Sequence, residues 1–292
     1  MKETVTTLVS GHAELDEFVA AIEGKTILAF DAEGVNLSRT GKATLCTVGI
    51  NGEDNVHVFL FDMLDDAAEY RGRLISTLKS FLEDVAVTKI IHDCRQDSDS
   101  LNELHEIRLV NVFDTSVYNS KIKETTKRDN LNNTLTAYGC PNNSERHPRE
   151  FYDSHPNYWL ERPLTEKQIT AAAQDVAFLF LLHESILQRM LDMDMSSRTK
   201  TEIQDASENA ISEFRDKRYT ALVEVPKSKF GLVIGRGGST ISMIEAVSGA
   251  LVSCKNDQGF NILAASQANL DSAKELIIDK IRNRGYSNSR NY

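Results

Sequence analysis

Cysteine is scarce in this 292-residue chain, and its four copies are scattered. Cys46, Cys94, Cys140 and Cys254 form no C-x-x-C pair. They fit neither a zinc knuckle nor a disulfide framework, and they point to a reducing, intracellular compartment, cytoplasmic or nuclear. No stretch approaches the apolar run that a membrane span needs, so no membrane partner is expected. The opening Met1-Lys2-Glu3-Thr4-Val5-Thr6-Thr7 lacks the apolar segment of a secretory signal. Positive charge is also short: 33 Lys and Arg stand against 43 Asp and Glu, a net charge of −10, which argues against tight, non-specific duplex binding. The deficit is uneven. From Tyr219 onward nine Lys and Arg outweigh six Asp and Glu, a surplus of +3, so the first 218 residues carry −13. An acidic body is compatible with a nucleic-acid partner if some of its carboxylates bind divalent metal.

What is present is an ordinary globular composition, 41% apolar and 26% charged, with length for one large domain and one small one. Thr26 to Phe30, Ala43 to Ile50 and Val56 to Phe61 read as three strands, the last two joined by an Asn51-Gly52 turn, in an antiparallel meander. Tyr70 to Leu82 has helical spacing, Lys89 to His92 reads as a buried strand, Asp97 to Leu104 as a helix, and Val110 to Phe113 as a short strand. Gln168 to Leu191 is the longest helical pattern. These elements predict an α/β fold over residues 1–195: a ribonuclease-H-like mixed sheet with flanking helices. Residues 196–218, polar and helix-compatible, read as a linker. A small α+β domain is expected over 219–282, and a disordered polar tail over 283–292.

Asp31 and Glu33 close the first strand two residues apart, so a period of two points both to one face, as carboxylates sharing a divalent ion would need. Taken alone, a charged strand end entering a turn explains them as well. A second group, His92-Asp93-Cys94-Arg95-Gln96-Asp97-Ser98-Asp99, follows a strand and opens a helix, and it holds more aspartates than capping requires. Asp175 lies inside the apolar helix Ala171-Ala172-Ala173-Gln174-Asp175-Val176, where an unpartnered carboxylate is costly.

In this order the segments resemble the motifs of the ribonuclease D-like DEDD 3′–5′ exonucleases. Phe30-Asp31-Ala32-Glu33-Gly34 matches the first motif, and His92 to Leu101 is similar to the second, with its ligand-bearing aspartate at Asp97. Asn111 to Thr115 looks like the segment that follows, and Arg162-Pro163-Leu164-Thr165 leading to Asp175 resembles the run into the third motif. The resemblance implies two-metal phosphodiester hydrolysis, with Mg²⁺ or Mn²⁺ held by Asp31, Glu33, Asp97 and Asp175. One departure stands out. The family carries a Tyr four residues, or a His five residues, before the last aspartate, and here those positions are Ala171 and Thr170. Neither can act as a base. Tyr152, His155 and Tyr158 lie upstream and could swing in to that role, although a surface or packing place is the stronger expectation. Arg39, in Arg39-Thr40-Gly41-Lys42, is a candidate phosphate contact, although a solvated turn explains it nearly as well.

Beyond Tyr219 the elements run β-α-α-β-β-α around Gly235-Arg236-Gly237-Gly238. A G-x-x-G turn lets backbone approach phosphates, and a following helix N-terminus offers amide donors to them. With this element order the segment resembles a type I KH domain. The resemblance implies that Gly235, Arg236, Gly237 and Gly238 contact the backbone of single-stranded RNA or DNA, with Ile234 and Ile241 lining the groove unless they pack in the core. The expected function is a metal-dependent 3′–5′ exonuclease acting on RNA or other single-stranded nucleic acid, with a KH RNA-binding module. The alternative, supported by Ala171 and Thr170, is a catalytically weak or inactive RNA-binding or scaffold protein.

Overall fold

A computed structural model describes residues 2–64, 68–255 and 258–282, so the tail expected over 283–292 lies outside the described residues. The chain divides into two compact units, Met1–Ser212 and Glu213–Tyr292.

In the first unit the elements are β1 (Glu3–Val9), α1 (His12–Ile22), β2 (Ile27–Val35), β3 (Lys42–Asn51), β4 (Asn55–Asp62), α2 (Ala68–Leu82), β5 (Thr88–Ile91), α3 (Arg95–His105) and β6 (Val112–Asp114). Then come α4 (Thr115–Ile122), α5 (Leu131–Ala137), α6 (Arg149–Ser154), α7 (Glu166–Asp192) and α8 (Ser197–Arg215). The six strands form one mixed sheet in the order β1-β4-β3-β2-β5-β6, the α/β architecture expected. β2, β3 and β4 pair antiparallel, with Gly52 N–H donating to the Asn55 carbonyl across the turn at 2.9 Å. The other pairings are parallel.

Side chains alternate between two cores. Phe30, Ala32, Phe59 and Phe61 join a cluster with Phe18, Leu74 and Leu101. Ala29, Val58 and Leu60 join another with Ala172, Val176 and Leu179 of α7. Phe18 meets Phe59, Phe61 and Phe81 edge-on, with centroids 5.2, 4.8 and 5.6 Å away, the geometry that ring quadrupoles favour. β2 also runs farther than the sequence implies, through Asp31 and Glu33 to Val35. A register shift between Glu33 and Gly34 lets pairing continue onto Ala43 and Lys42.

Three features depart from the sequence reading. β1, Glu-Thr-Val-Thr-Thr-Leu-Val, is too polar to register as a strand, yet backbone pairing with β4 from Glu3 to Val9 makes it a sheet edge. The stretch read as a linker is α8, and it covers the opposite edge. Ser207 Oγ donates to the Val112 carbonyl at 2.7 Å and accepts from Asp114 N–H at 2.8 Å, and Glu208 accepts from Val112 N–H at 3.1 Å. Its few apolar points, Ile203, Ala210 and Ile211, are buried in the first unit. Third, α7 is long and apolar enough to cross a membrane by length and composition, contrary to the expectation that no stretch approaches this. Twelve of its residues are buried among the described ones, which is the reason for its apolarity here.

The second unit contains β7 (Tyr219–Glu224), α9 (Phe230–Ile234), α10 (Ser239–Ser248), β8 (Leu251–Lys255), β9 (Gly259–Ala264) and α11 (Gln267–Arg282). Its antiparallel sheet, β7-β9-β8, carries a core of Val233, Ile244, Phe260, Ile262, Leu270 and Ile277.

Gly34 has a local reason to be glycine. A Cβ there would stand 2.1 Å from the Lys42 carbonyl oxygen, which is backbone and cannot rotate away. Gly34→Ala should therefore cost about 1–3 kcal/mol, as overpacking does, and lower the thermal midpoint by several degrees in a circular-dichroism melt. An unchanged midpoint would show that the bulge relaxes freely.

Candidate active site

Because Phe30 and Ala32 face the α1–α3 side of the sheet, Asp31 and Glu33, out of phase with them, face α7. Asp175 projects from α7 onto the same spot. One carboxylate oxygen from each of Asp31, Glu33 and Asp175 lies within 4.8 Å of the others. Asp97 arrives from α3, where its Oδ1 accepts from Ala32 N–H at 3.2 Å. It is buried beside the strand without belonging to the close group of three.

The structure sorts the aspartates of the second motif. Asp93, with a left-handed φ of 63°, pairs with Arg95 and Arg128 at 2.6 and 3.0 Å. Asp99 takes the guanidinium of Arg39 at 2.6 Å and its backbone N–H at 2.8 Å. Arg39, the candidate phosphate contact, is thus engaged in fastening the turn after β2 to α3. Beneath them Asp114 accepts from the N–H groups of Asp93 and Cys94 at 3.0 and 2.9 Å while capping α4. His92 bonds Thr115 Oγ1 and the Asp129 carbonyl at 2.8 and 3.0 Å, a structural role.

Two anchors aim α7. A capping box of Thr165 and Gln168 starts it, and Arg162 ties its approach to Asp62 at 2.6 Å and to the Thr44 carbonyl at 2.8 Å. At Asp175 two residues that the sequence did not single out appear. Asn143 Nδ2 donates to Asp175 Oδ1 at 2.8 Å and to the Ala171 carbonyl at 2.7 Å, and Arg146 Nη1 ion-pairs with Asp175 Oδ2. The sequence Asn142-Asn143-Ser144-Glu145-Arg146 carries only a turn signal, so nothing in it announces this contact. Ala171, one turn before Asp175, is buried, and Thr170 is exposed. Of the upstream aromatics, Tyr152 is half-buried, and its hydroxyl is pushed up by burial and then by the Glu33 charge.

The carboxyl groups bear the electrostatic cost of this crowding. Burial, and then the charge of Asp175, push Asp31 up to about 7 against the pull of Arg146. Glu33 is raised by burial and by Asp31, and Asp97 by burial and by Asp31. Asp175 is raised by burial while Arg146 opposes. One guanidinium cannot neutralise four carboxylates. The donors are all oxygen, without Cys or His, so the set fits a hard divalent cation.

In the second unit Gly235, Gly237 and Gly238 hold φ of 75°, 58° and 85°, conformations that favour glycine. A Cβ on Gly235 would stand 2.2 Å from Thr240 Oγ1. The turn borders a groove of about 580 Å³ lined by Leu232, Gly235, Arg236, Thr240 and Lys280 among others. Arg236 is exposed. Ile234 and Ile241 are half-buried and pack against the core. Lys280, from α11, adds a cation that the turn alone did not reveal.

Residues 6–192 match the sequence model of a family described as 3′-5′ exonuclease, and residues 220–279 match that of the KH domain. The chain is 27% identical to the piRNA biogenesis protein EXD1 of Homo sapiens over 202 residues, 64% of this chain and 37% of that one. It is 30% identical to the EXD1 of Bombyx mori over 181 residues, 60% of this chain and 54% of that one. It thus spans about half or less of these curated relatives. The crystal structure of Trypanosoma brucei RNase D has the same fold, with a TM-score of 0.59 at 20% identity and 73% of each chain covered.

The raised carboxyl groups set a pH dependence. Below the ordinary carboxylate value near pH 4 both folded and unfolded states are protonated, and the cluster costs nothing. As pH rises towards about 7 the folded state retains protons that the unfolded state has lost, so stability falls. A cation that needs ionised ligands relieves this. Saturating Mn²⁺ should raise the thermal midpoint by several degrees at pH 8, since a ligand at 100 times its Kd adds about 2.7 kcal/mol, and by clearly less at pH 5.5. Equal shifts at both pH values would contradict it.

Proposed function

Since the chain belongs to the 3′-5′ exonuclease family over residues 6–192 and matches the KH domain over residues 220–279, we propose that it is a divalent-metal-dependent 3′–5′ exonuclease acting on RNA. The observation that carries this reading is the convergence of Asp31, Glu33 and Asp175 within 4.8 Å, from β2 and α7. With Asp97 they would hold Mg²⁺ or Mn²⁺ in a two-metal site. Such ions supply Lewis-acid stabilisation of the phosphodiester and make a water more acidic. The chain's own part is to fix the carboxylates. β2 sets two of them, α7 a third, and Asn143 locks the rotamer of the third. In the second unit the amides near Gly235 to Gly238, with the charges of Arg236 and Lys280, suit the phosphates of a single strand, and Ile234 and Ile241 border the groove for bases. RNA is favoured over DNA by the KH fusion and by the RNA-directed names of the relatives. The boundaries read from the sequence, 1–195 and 219–282, are proposed for the catalytic and binding domains, with α8 as a helical segment that packs on the edge of the first unit and leads on to the second.

One observation favours a second reading, an RNA-binding or scaffold protein with weak or no turnover. The positions that carry Tyr or His in the family are Ala171 and Thr170, and the Ala171 carbonyl is bonded to Asn143.

A single assay separates the two. Single-stranded RNA labelled at the 5′ end should shorten stepwise with Mn²⁺, while the 3′ label leaves at once as mononucleotide, and Asp31→Ala should stop both. Intact RNA in the presence of bound Mn²⁺ would instead support the second reading. For the KH unit, Gly238→Asp sets a carboxylate at a φ of 85° against the phosphates. It should weaken filter binding of single-stranded RNA by roughly tenfold and leave the melt of the first unit unchanged. Unaltered affinity would mean that RNA docks elsewhere.

A further inference from the structure

Arg146 brings a guanidinium into the carboxylate cluster. Its guanidinium pairs with Asp175 Oδ2, and it feels the charges of Glu33 and Asp31 as well. The root of this side chain is fixed, and its charged head lies among the carboxylates. Asn143, 1% exposed, accepts from the N–H groups of Glu145 and Arg146 at 3.0 and 3.2 Å. It is itself tied to α5, accepting Asn132 Nδ2 on its carbonyl at 3.0 Å and donating its N–H to Asn132 Oδ1 at 2.9 Å. The same Asn143 grips Asp175 Oδ1, so one residue positions both partners of the ion pair. The Arg146 side chain, in contrast, is 37% exposed against 3% for Asp175. Part of the side chain thus meets solvent while its charge sits beside Asp175, Glu33 and Asp31.

We propose that Arg146 is a resident counter-ion that competes with divalent metal for Asp175 and so sets the ion affinity of the site. This rests on the metal-dependent reading above. Asp175 Oδ1 is held by Asn143, and Oδ2 is the oxygen the guanidinium covers. An ion that needs Oδ2 must displace Arg146, and until it does, a cation approaching the cluster is repelled by the guanidinium charge. In the absence of ion, Arg146 keeps the carboxylates from repelling one another unopposed. Arg146 stabilises the empty cluster, and an ion that binds must offset the loss of that ion pair.

The test is calorimetric titration of Mn²⁺ into the full chain, its Arg146→Gln and Arg146→Lys variants, and an Asp31→Asn control, with a thermal melt of each in EDTA. Arg146→Gln should bind Mn²⁺ roughly tenfold tighter or more, as loss of a like charge a few ångströms from the ion implies. Arg146→Lys should stay near the parent, and Arg146→Gln should melt lower in EDTA yet gain more from Mn²⁺. A merely structural role would lower the EDTA melt and leave the affinity unchanged or weaker, which would overturn the proposal. If Mn²⁺ binds the parent and is lost in Asp31→Asn while Arg146→Gln is unaltered, only this proposal fails. If the folded parent and Arg146→Gln both bind no Mn²⁺, the metal reading fails with it, and Arg146 is a permanent counter-ion.

Discussion

Mutual repulsion among Asp31, Glu33, Asp97 and Asp175 is the constraint around which the first unit is arranged. Like charges this close raise one another's pKa and destabilise the fold at neutral pH. The chain accepts the cost and spreads the support for it. Arg146 neutralises one charge, Asn143 holds Asp175, and the Ala32 amide takes Asp97. Nothing in the packing of the sheet requires four carboxylates here. An apolar residue at Asp175 would suit α7, whose neighbouring positions Ala172, Val176 and Leu179 are all buried. That asymmetry between packing and chemistry is the physical argument for a site.

The scaffold follows from the need to hold that crowd still. β2 lies inside the sheet, paired with β3 on one side and β5 on the other, so Asp31 sits on a braced strand. The capping box and Arg162 fix where α7 begins, and an Asp at its third turn then falls opposite β2. Asp114, fully buried, orients the turn that leads to Asp97. Arg39 and Asp99 close the rim by joining the loop after β2 to α3. Each device fixes a segment that carries or leads to a carboxylate. Buried polar groups of this kind are tolerable only when fully bonded, and Asp114 and Asn143 are.

Much of this is legible in the amino-acid sequence. Strand periodicity placed Asp31 and Glu33 on one face, and the isolation of Asp175 in an apolar helix marked it as a charge in need of a partner. The order β-α-α-β-β-α around Gly235-Arg236-Gly237-Gly238 was equally readable, because turn and helix signals there are local. What escaped was decided by tertiary contact. β1 is too polar to look like a strand and becomes one only by pairing with β4. α8 resembled a linker because its contacts to β6 run through Ser207 and Glu208, residues that sequence reading assigns to solvent. Asn143 and Arg146 sit about thirty residues before Asp175 in a turn-rich stretch, and only the fold brings them to it. Arg39, a candidate phosphate contact or a solvated turn residue in the sequence, is bonded to Asp99 in the fold.

On this account the carboxylates exist to hold divalent ions, and the ion pair of Arg146 with Asp175 is what such ions must open. Diffraction from crystals soaked in Mn²⁺, recorded at a wavelength where manganese scatters anomalously, tests that most directly. Anomalous density is expected between Asp31, Glu33 and Asp175 at coordination distance, with Arg146 turned away from Asp175. No density there, with Arg146 still paired to Asp175 at saturating Mn²⁺, would contradict it.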